Sequence, residues 1–260
     1  MSELYKELYF PTQPDVVLNT NYYIEELDFL EFMSTPCLFY QQKLSHNMQE
    51  FTIVPDGCID VLFFMDTKNP RVKIYYPVLQ SKKIQIPSDY EIFGFRIMLG
   101  KYKVQDIFDI QNGGYINQNL QDTVCYITNA ASFQERVEIT KQLFMKIPSE
   151  YVIENDLVKF LMAEIYSSKG SIHLNEISNE IGISSRTLRQ KFSEYTGISP
   201  KKYCEIIRFQ YSINLFLELV DTFDAVMECG YFDQAHLIKE YRKFGFITPK
   251  KFTSMIANGI

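Results

Sequence analysis

The sequence predicts an α+β multidomain protein in which a β-rich N-terminal part precedes an all-α C-terminal part. Three observations predict it. From about Phe51 to Val104, β-branched and aromatic residues come in short runs broken by turn signals. After Asn112–Gly114 the apolar spacing changes from the strand period to the helical one. The last hundred or so residues contain one unit twice.

The strands come first. "FTIVPDGCIDVLFF" (Phe51–Phe64), "RVKIYYPVL" (Arg71–Leu79) and "KKIQIPSDYEIFGFRIML" (Lys82–Leu99) have strand composition. Pro55-Asp56-Gly57 has the composition of a tight turn between two of them. Short strands at this spacing suggest a barrel or a sandwich. "ASFQERVEITKQLFMKI" (Ala131–Ile147) then sets Phe133, Val137, Leu143, Phe144 and Ile147 at helical spacing. Pro148-Ser149-Glu150 reads as a linker, which places the expected domains at 1–150 and 151–260.

A shift of 49 positions carries Ser184 onto Asp233, Leu188 onto Leu237, Phe192 onto Tyr241 and Tyr195 onto Phe244. It also carries Ile198-Ser199-Pro200-Lys201-Lys202-Tyr203 onto Ile247-Thr248-Pro249-Lys250-Lys251-Phe252. The repeated units fall at about 171–203 and 220–252, joined by a helix at about 201–219. In the first unit, "HLNEISNEIGISSRTLRQKF" reads as a helix, a turn at Gly182 and a second helix capped by Ser184. Leu188 and Phe192 face inward on that helix, whereas Arg186, Arg189 and Gln190 face outward. In the second unit Asp233 is the cap, Leu237 and Tyr241 face inward, and Ala235, Ile238, Lys239 and Arg242 face outward.

Arginine can donate two hydrogen bonds to guanine and glutamine can pair with adenine, so the outward residue types suit reading base edges of double-stranded DNA. Ser184 and the cations Lys191, Lys201, Lys202, Arg208, Arg242, Lys250 and Lys251 are candidates for phosphate contacts. A helical half that binds protein instead of DNA, under control of a ligand, is the alternative.

With "GYFDQAHLIKEYRKFGFITPKKF" in the second unit, residues 155–260 resemble the DNA-binding domain of the AraC/XylS family of bacterial transcription regulators. The resemblance implies base-facing roles for Ser185, Arg186, Arg189 and Gln190, and for Gln234, Ala235, His236 and Lys239. It also implies promoter DNA as partner, activation or repression as outcome, and RNA polymerase and a second copy of the chain as further partners. "VPDGCIDVLFF" and "GFRIMLG" resemble the two motifs of a cupin-like sensory domain found before such domains, although Ile97, Met98 and Leu99 depart from the second motif. The fold expected is therefore a cupin-like barrel with helices followed by an all-α double helix-turn-helix.

Charge and composition limit the other classes. The net charge of −6 lies in the first part: residues 1–154 carry 13 basic against 20 acidic residues, residues 155–260 carry 13 against 12. The five cysteines have no close pairs and suit neither a disulfide framework nor a zinc site. With His46, His173 and His236 as the histidines, the chain lacks the ligands of a metallocupin, so neither a metal, a cofactor nor catalysis is expected. No leader or membrane span is expected either, which suggests a cytoplasmic protein. Asp60 and Arg96 sit among apolar neighbours. Such charges need partners if buried, so they pair with each other, help bind a small-molecule effector, or lie on an exposed strand face.

Overall fold

The computed structural model describes residues 10–30, 35–44, 50–85, 91–98, 115–146, 155–218 and 221–257. A short helix α1 (Pro14–Asn19) leads into strands β1 (Thr20–Leu30), β2 (Thr35–Leu44), β3 (Glu50–Ile53), β4 (Cys58–Phe64), β5 (Arg71–Tyr75), β6 (Lys82–Gln85) and β7 (Glu91–Met98). Five of them form one sheet in the order β1-β2-β7-β4-β5, antiparallel throughout, while β3 and β6 pair as a separate ribbon.

The described strands thus make an open sheet and a ribbon, not a closed barrel. Pro55-Asp56-Gly57 does connect two strands, but β3 and β4 do not pair with each other; the turn carries the chain from the ribbon to the sheet. Gly57 is required there for two reasons. Its φ of +67° is left-handed, and a Cβ would lie 2.8 Å from the Tyr203 ring.

Strand β4 is buried along its whole length, which explains its unbroken apolar text. Ile59, Val61 and Phe63 point to one face with Phe39, Phe93 and Phe95; Leu62 and Phe64 point to the other with Leu38, Phe51 and Ile84. Helices α2 (Tyr115–Asn129) and α3 (Phe133–Met145) cover the first face. Ser132 caps α3, and Phe144 meets Phe95 edge to face at 5.1 Å. Ile147, the expected linker Pro148–Glu150 and the domain boundary lie outside the described residues, as do Asn112–Gly114, His46 and Leu99.

The C-terminal region is helical: α4 (Asp156–Ser167), α5 (Leu174–Ile181), α6 (Ser185–Thr196), α7 (Pro200–Leu217), α8 (Thr222–Glu228), α9 (Gln234–Lys243) and α10 (Pro249–Ala257). Val158, Leu161, Ile165, Leu188, Phe192 and Tyr203 join the apolar cluster that contains the covered face of the sheet. A second cluster gathers Phe209, Phe216, Leu237, Tyr241, Phe244 and Phe252 around the far end of α7. No described helix is long and apolar enough to cross a membrane.

Phe209 is fully buried, with its ring centroid 4.9 Å from that of Tyr241 and 4.7 Å from that of Phe244. Phe209→Ala is expected to cost about 3–5 kcal/mol in denaturant-induced unfolding, because it leaves a cavity that the Tyr241, Phe244 and Phe246 rings cannot close. Phe223→Ala, at an exposed position of α8, is expected to change stability by less than about 0.5 kcal/mol.

Candidate nucleic-acid interface

Helices α6 and α9 are built alike. The Ser184 hydroxyl accepts from the Thr187 amide at 3.2 Å, and the Asp233 carboxylate accepts from the His236 amide at 2.7 Å, so each helix starts at a side-chain cap. Leu188 and Phe192 anchor α6 in the core, and Leu237 and Tyr241 anchor α9. With those positions turned inward, Arg186, Arg189, Gln190 and Lys191 on α6 are exposed, as are Gln234, Ala235, Lys239 and Arg242 on α9.

The outward side chains are not equally available. Arg186 and Arg189 make no ion pair or hydrogen bond among the described residues, so their forks are presented to solvent. Gln190 donates to Glu194 at 2.8 Å, Lys191 pairs with Glu194 at 3.4 Å, and the Ser185 hydroxyl donates to Asn175 of α5 at 2.8 Å. His236 is half-buried. Its Nδ1 accepts from the Phe232 amide at 3.3 Å, which leaves the proton on Nε2, and its ring stands edge-on to Tyr231.

Among the expected phosphate contacts, Ser184, Lys201, Arg242, Lys250 and Lys251 are exposed. Two others have structural work: Arg208 donates to the Gly170 carbonyl at 2.9 Å over the Tyr231 ring, and Lys202 lies 4.1 Å from the centre of the Phe244 ring. Burial, with Lys243 nearby, lowers the Lys202 pKa.

Between the two units lies a cleft of about 580 Å³, lined by Arg189 and His236 from the two capped helices and by Lys201, Arg208, Glu205 and Glu240. Of its acidic members Glu176 is exposed, and the other two are engaged. Glu205 pairs with Lys243 at 2.6 Å, and buried Glu240 accepts from the Tyr231 hydroxyl at 2.7 Å. Burial raises the Glu240 pKa above the usual carboxylate range.

Residues 177–255 match the family model described as a helix-turn-helix domain. The C-terminal region therefore contains a helix-turn-helix domain. Comparison with curated proteins gives no significant match. Among solved structures the chain is similar to ToxT from Vibrio cholerae, at 12% identity over 84% of this chain and 97% of that one, with a TM-score of 0.45. It is also similar to ToxT from Vibrio cholerae O395 bound to (E)-4-(8-methylnaphthalen-1-yl)but-3-enoic acid, at 14% identity over 90% and 97%, with a TM-score of 0.42.

The helix-turn-helix domain is held to the β-rich region through α7. Gln210, fully buried in the middle of that helix, donates to the Pro55 carbonyl at 2.8 Å and accepts from the Thr12 amide at 2.8 Å. One turn on, Asn214 donates to the Phe10 carbonyl at 2.8 Å. The segment 10–13 is thus a strap across α7, and its other side is held by charge. Arg96 Nη1 donates to the Pro11 carbonyl at 3.0 Å, and Gln13 donates to Asp56 at 2.8 Å while closing two hydrogen bonds with the Val54 backbone.

Asp60 and Arg96 therefore do pair with each other. Arg96 Nε is 2.9 Å from Asp60 and 3.3 Å from Asp56, and the Tyr40 hydroxyl donates to Asp60 at 2.9 Å. The pair also borders a cavity of about 30 Å³ with Tyr40, Gln42 and Phe51; the buried Gln42 amide oxygen in its wall has no partner among the described residues. Sequence reasoning missed Gln210, Gln13 and Asp56. Gln210 left a signal, since it shares a helix face with Ile206, Ile207 and Ile213 and so interrupts an apolar stripe with a polar group.

One guanidinium between two carboxylates leaves a surplus negative charge in the cluster. Burial pushes Asp56 up to about 6, with Arg96 pulling down and Asp60 pushing up. Because the folded pKa lies above the ordinary value of 3.8, the native state holds the extra proton between these limits, and Asp56 lowers stability as pH rises from about 4 to about 6. Asp56→Asn is expected to remove that contribution: the stability difference between wild type and variant changes across this window and is flat above it, as read by urea unfolding at a series of pH values.

Proposed function

We propose that this chain is a sequence-specific double-stranded-DNA-binding transcription regulator whose β-rich region senses a small-molecule effector or pairs with a second copy. The observation that carries the reading is the pair of capped, core-anchored helices α6 and α9, one of which offers two arginines with no internal partner. Guanidinium forks held out from a rigid helix suit the O6 and N7 acceptors of guanine in the major groove. Arg186 and Arg189 are assigned to that task, with Gln190 and Ser185 beside them. On α9 the base-facing set is Gln234, Ala235, His236 and Lys239. Ser184, Lys201, Arg242, Lys250 and Lys251 lie at exposed positions suited to phosphates, and Lys191, Lys202 and Arg208 are weaker candidates because each already has a partner.

An effector would act by differing affinity for two arrangements of the strap and α7. Asp60 and Arg96 are the residues assigned to that link, since a ligand competing for either one loosens the hold of Arg96 on Pro11 and, through Thr12, on Gln210.

Arg189→Ala is expected to weaken binding to a selected duplex by about 5- to 150-fold and to relax preference at one base pair, as measured by fluorescence anisotropy on single-base variants. Lys250→Ala with Lys251→Ala should weaken all sequences alike and make the slope of log affinity against log salt shallower by about 2. Absence of any salt-dependent affinity for duplex DNA overturns the reading and favours a protein partner for the helical half.

A further inference from the structure

The two helix-turn-helix units differ by one residue at the turn. In the first, Gly182 takes the left-handed conformation, the Ile183 amide bonds back to the Ser178 carbonyl at 3.2 Å, and Ser184 caps the next helix. In the second, Gly230 takes the left-handed conformation and the Tyr231 amide bonds back to the Val226 carbonyl at 3.0 Å. Glycine matches glycine, and Ile183 matches Tyr231 as the anchor packed inward. The cap Asp233 then stands one residue later than Ser184 does. Phe232 is the extra residue, and the first unit has no counterpart to it.

Phe232 buries almost nothing: it is 91% exposed, the most open of the large apolar side chains among the described residues. Its backbone is held, because its amide donates to His236 Nδ1 within the first turn of α9. It therefore sits at the N-terminal end of the helix whose outward face carries Ala235 and Ile238, with Lys239 and Arg242 beside them. The cations lie farther along the same helix, Arg242 in its last turn, and the Asp233 carboxylate beside Phe232 is taken up as the helix cap. The exposed Phe223 and Met227 of α8 differ, since Asp221, Asp224 and Glu228 flank them and would repel a polyanion.

We propose that Phe232, together with Ala235 and Ile238, reads the C5-methyl groups of thymines in the half-site taken by the second unit. The inference rests on the DNA-binding reading above and adds a base preference to it. The first unit selects by hydrogen bonds from Arg186 and Arg189; the second selects by apolar contact, for which the thymine methyl is the one apolar group that the major groove offers. Arg242, exposed and among the phosphate candidates, supplies charge for the backbone, while Lys239 stays in the base-facing set.

The test replaces thymine by uracil in the second half-site of a selected duplex, which removes the methyl groups and leaves every hydrogen-bonding edge intact. Wild-type protein is expected to lose about fourfold in affinity for each methyl contacted. Phe232→Ser, which should fold normally because the side chain is exposed, is expected to show weakened affinity on thymine DNA and a smaller further loss on uracil DNA than wild type, limited to the methyl groups met by Ala235 and Ile238. Equal affinity of wild type for both duplexes, or equal losses for wild type and Phe232→Ser, overturns the inference while leaving the DNA-binding reading intact. A second half-site that contains no thymine overturns it as well. Failure to bind either duplex at low salt removes the underlying reading.

Discussion

The guanidinium of Arg96, buried between Asp56 and Asp60, is the interaction on which the arrangement of the chain depends. A charge so far from water needs partners on every side, and loss of one strands the others, at a cost of several kcal/mol. Arg96 finds its partners in three places. The sheet supplies Asp60, the turn before β4 supplies Asp56, and the strap supplies the Pro11 carbonyl. Satisfying one side chain therefore fixes the relative positions of three segments. The strap and turn then present Thr12 and Pro55 to Gln210, which seats α7.

Helix α7 is the common support of both helix-turn-helix units. Its first turn carries Tyr203, which packs against Phe192 of α6, bonds Tyr166 through its hydroxyl and lies against Gly57. Its second half carries Phe209 and Phe216, which pack against Tyr241 of α9. The spacing of α6 and α9 is thus set by one helix whose middle is bound to the β-rich region. In the proposed function this matters twice: it fixes which two stretches of a duplex can be met together, and it gives a ligand in the β-rich region a route to that spacing. It also reconciles an acidic chain with an anionic partner. The excess of acidic residues lies in residues 1–154, and two of the acids lining the cleft, Glu205 and Glu240, are paired or buried, while Arg186, Arg189, Lys239 and Arg242 stand exposed on α6 and α9.

The helical region was legible in the sequence because it is built from local rules. Caps at Ser184 and Asp233, inward residues at Leu188, Phe192, Leu237 and Tyr241, and the turn at Gly182 all follow from spacing and residue type within one or two turns, and the repeat doubled each signal. The β-rich region was legible as strands but not as a sheet. Pairing joins residues far apart in sequence, so the text of β3 and β4 gives no sign that β3 pairs with β6, nor that the sheet stays open. At the site, the arginines were legible as outward and cationic. Their freedom was not, because a partner could have come from any segment that the fold brings near them. The buried cluster was half legible: Asp60 and Arg96 stood out among apolar neighbours, but Asp56 was hidden in a tripeptide that reads as a turn, and Gln13 lies in a segment without periodicity.

The measurement that bears most directly on this arrangement is selection of bound sequences from a random duplex library by the full-length protein at near-physiological salt. Two recognition helices on one fixed support predict an enriched motif of two blocks, separated by about one helical turn of DNA with no variation in spacing. Two blocks at variable spacing would contradict the seating of α7 as the element that sets the geometry, and no enrichment in the presence or absence of cell-extract small molecules would contradict the assignment to DNA altogether.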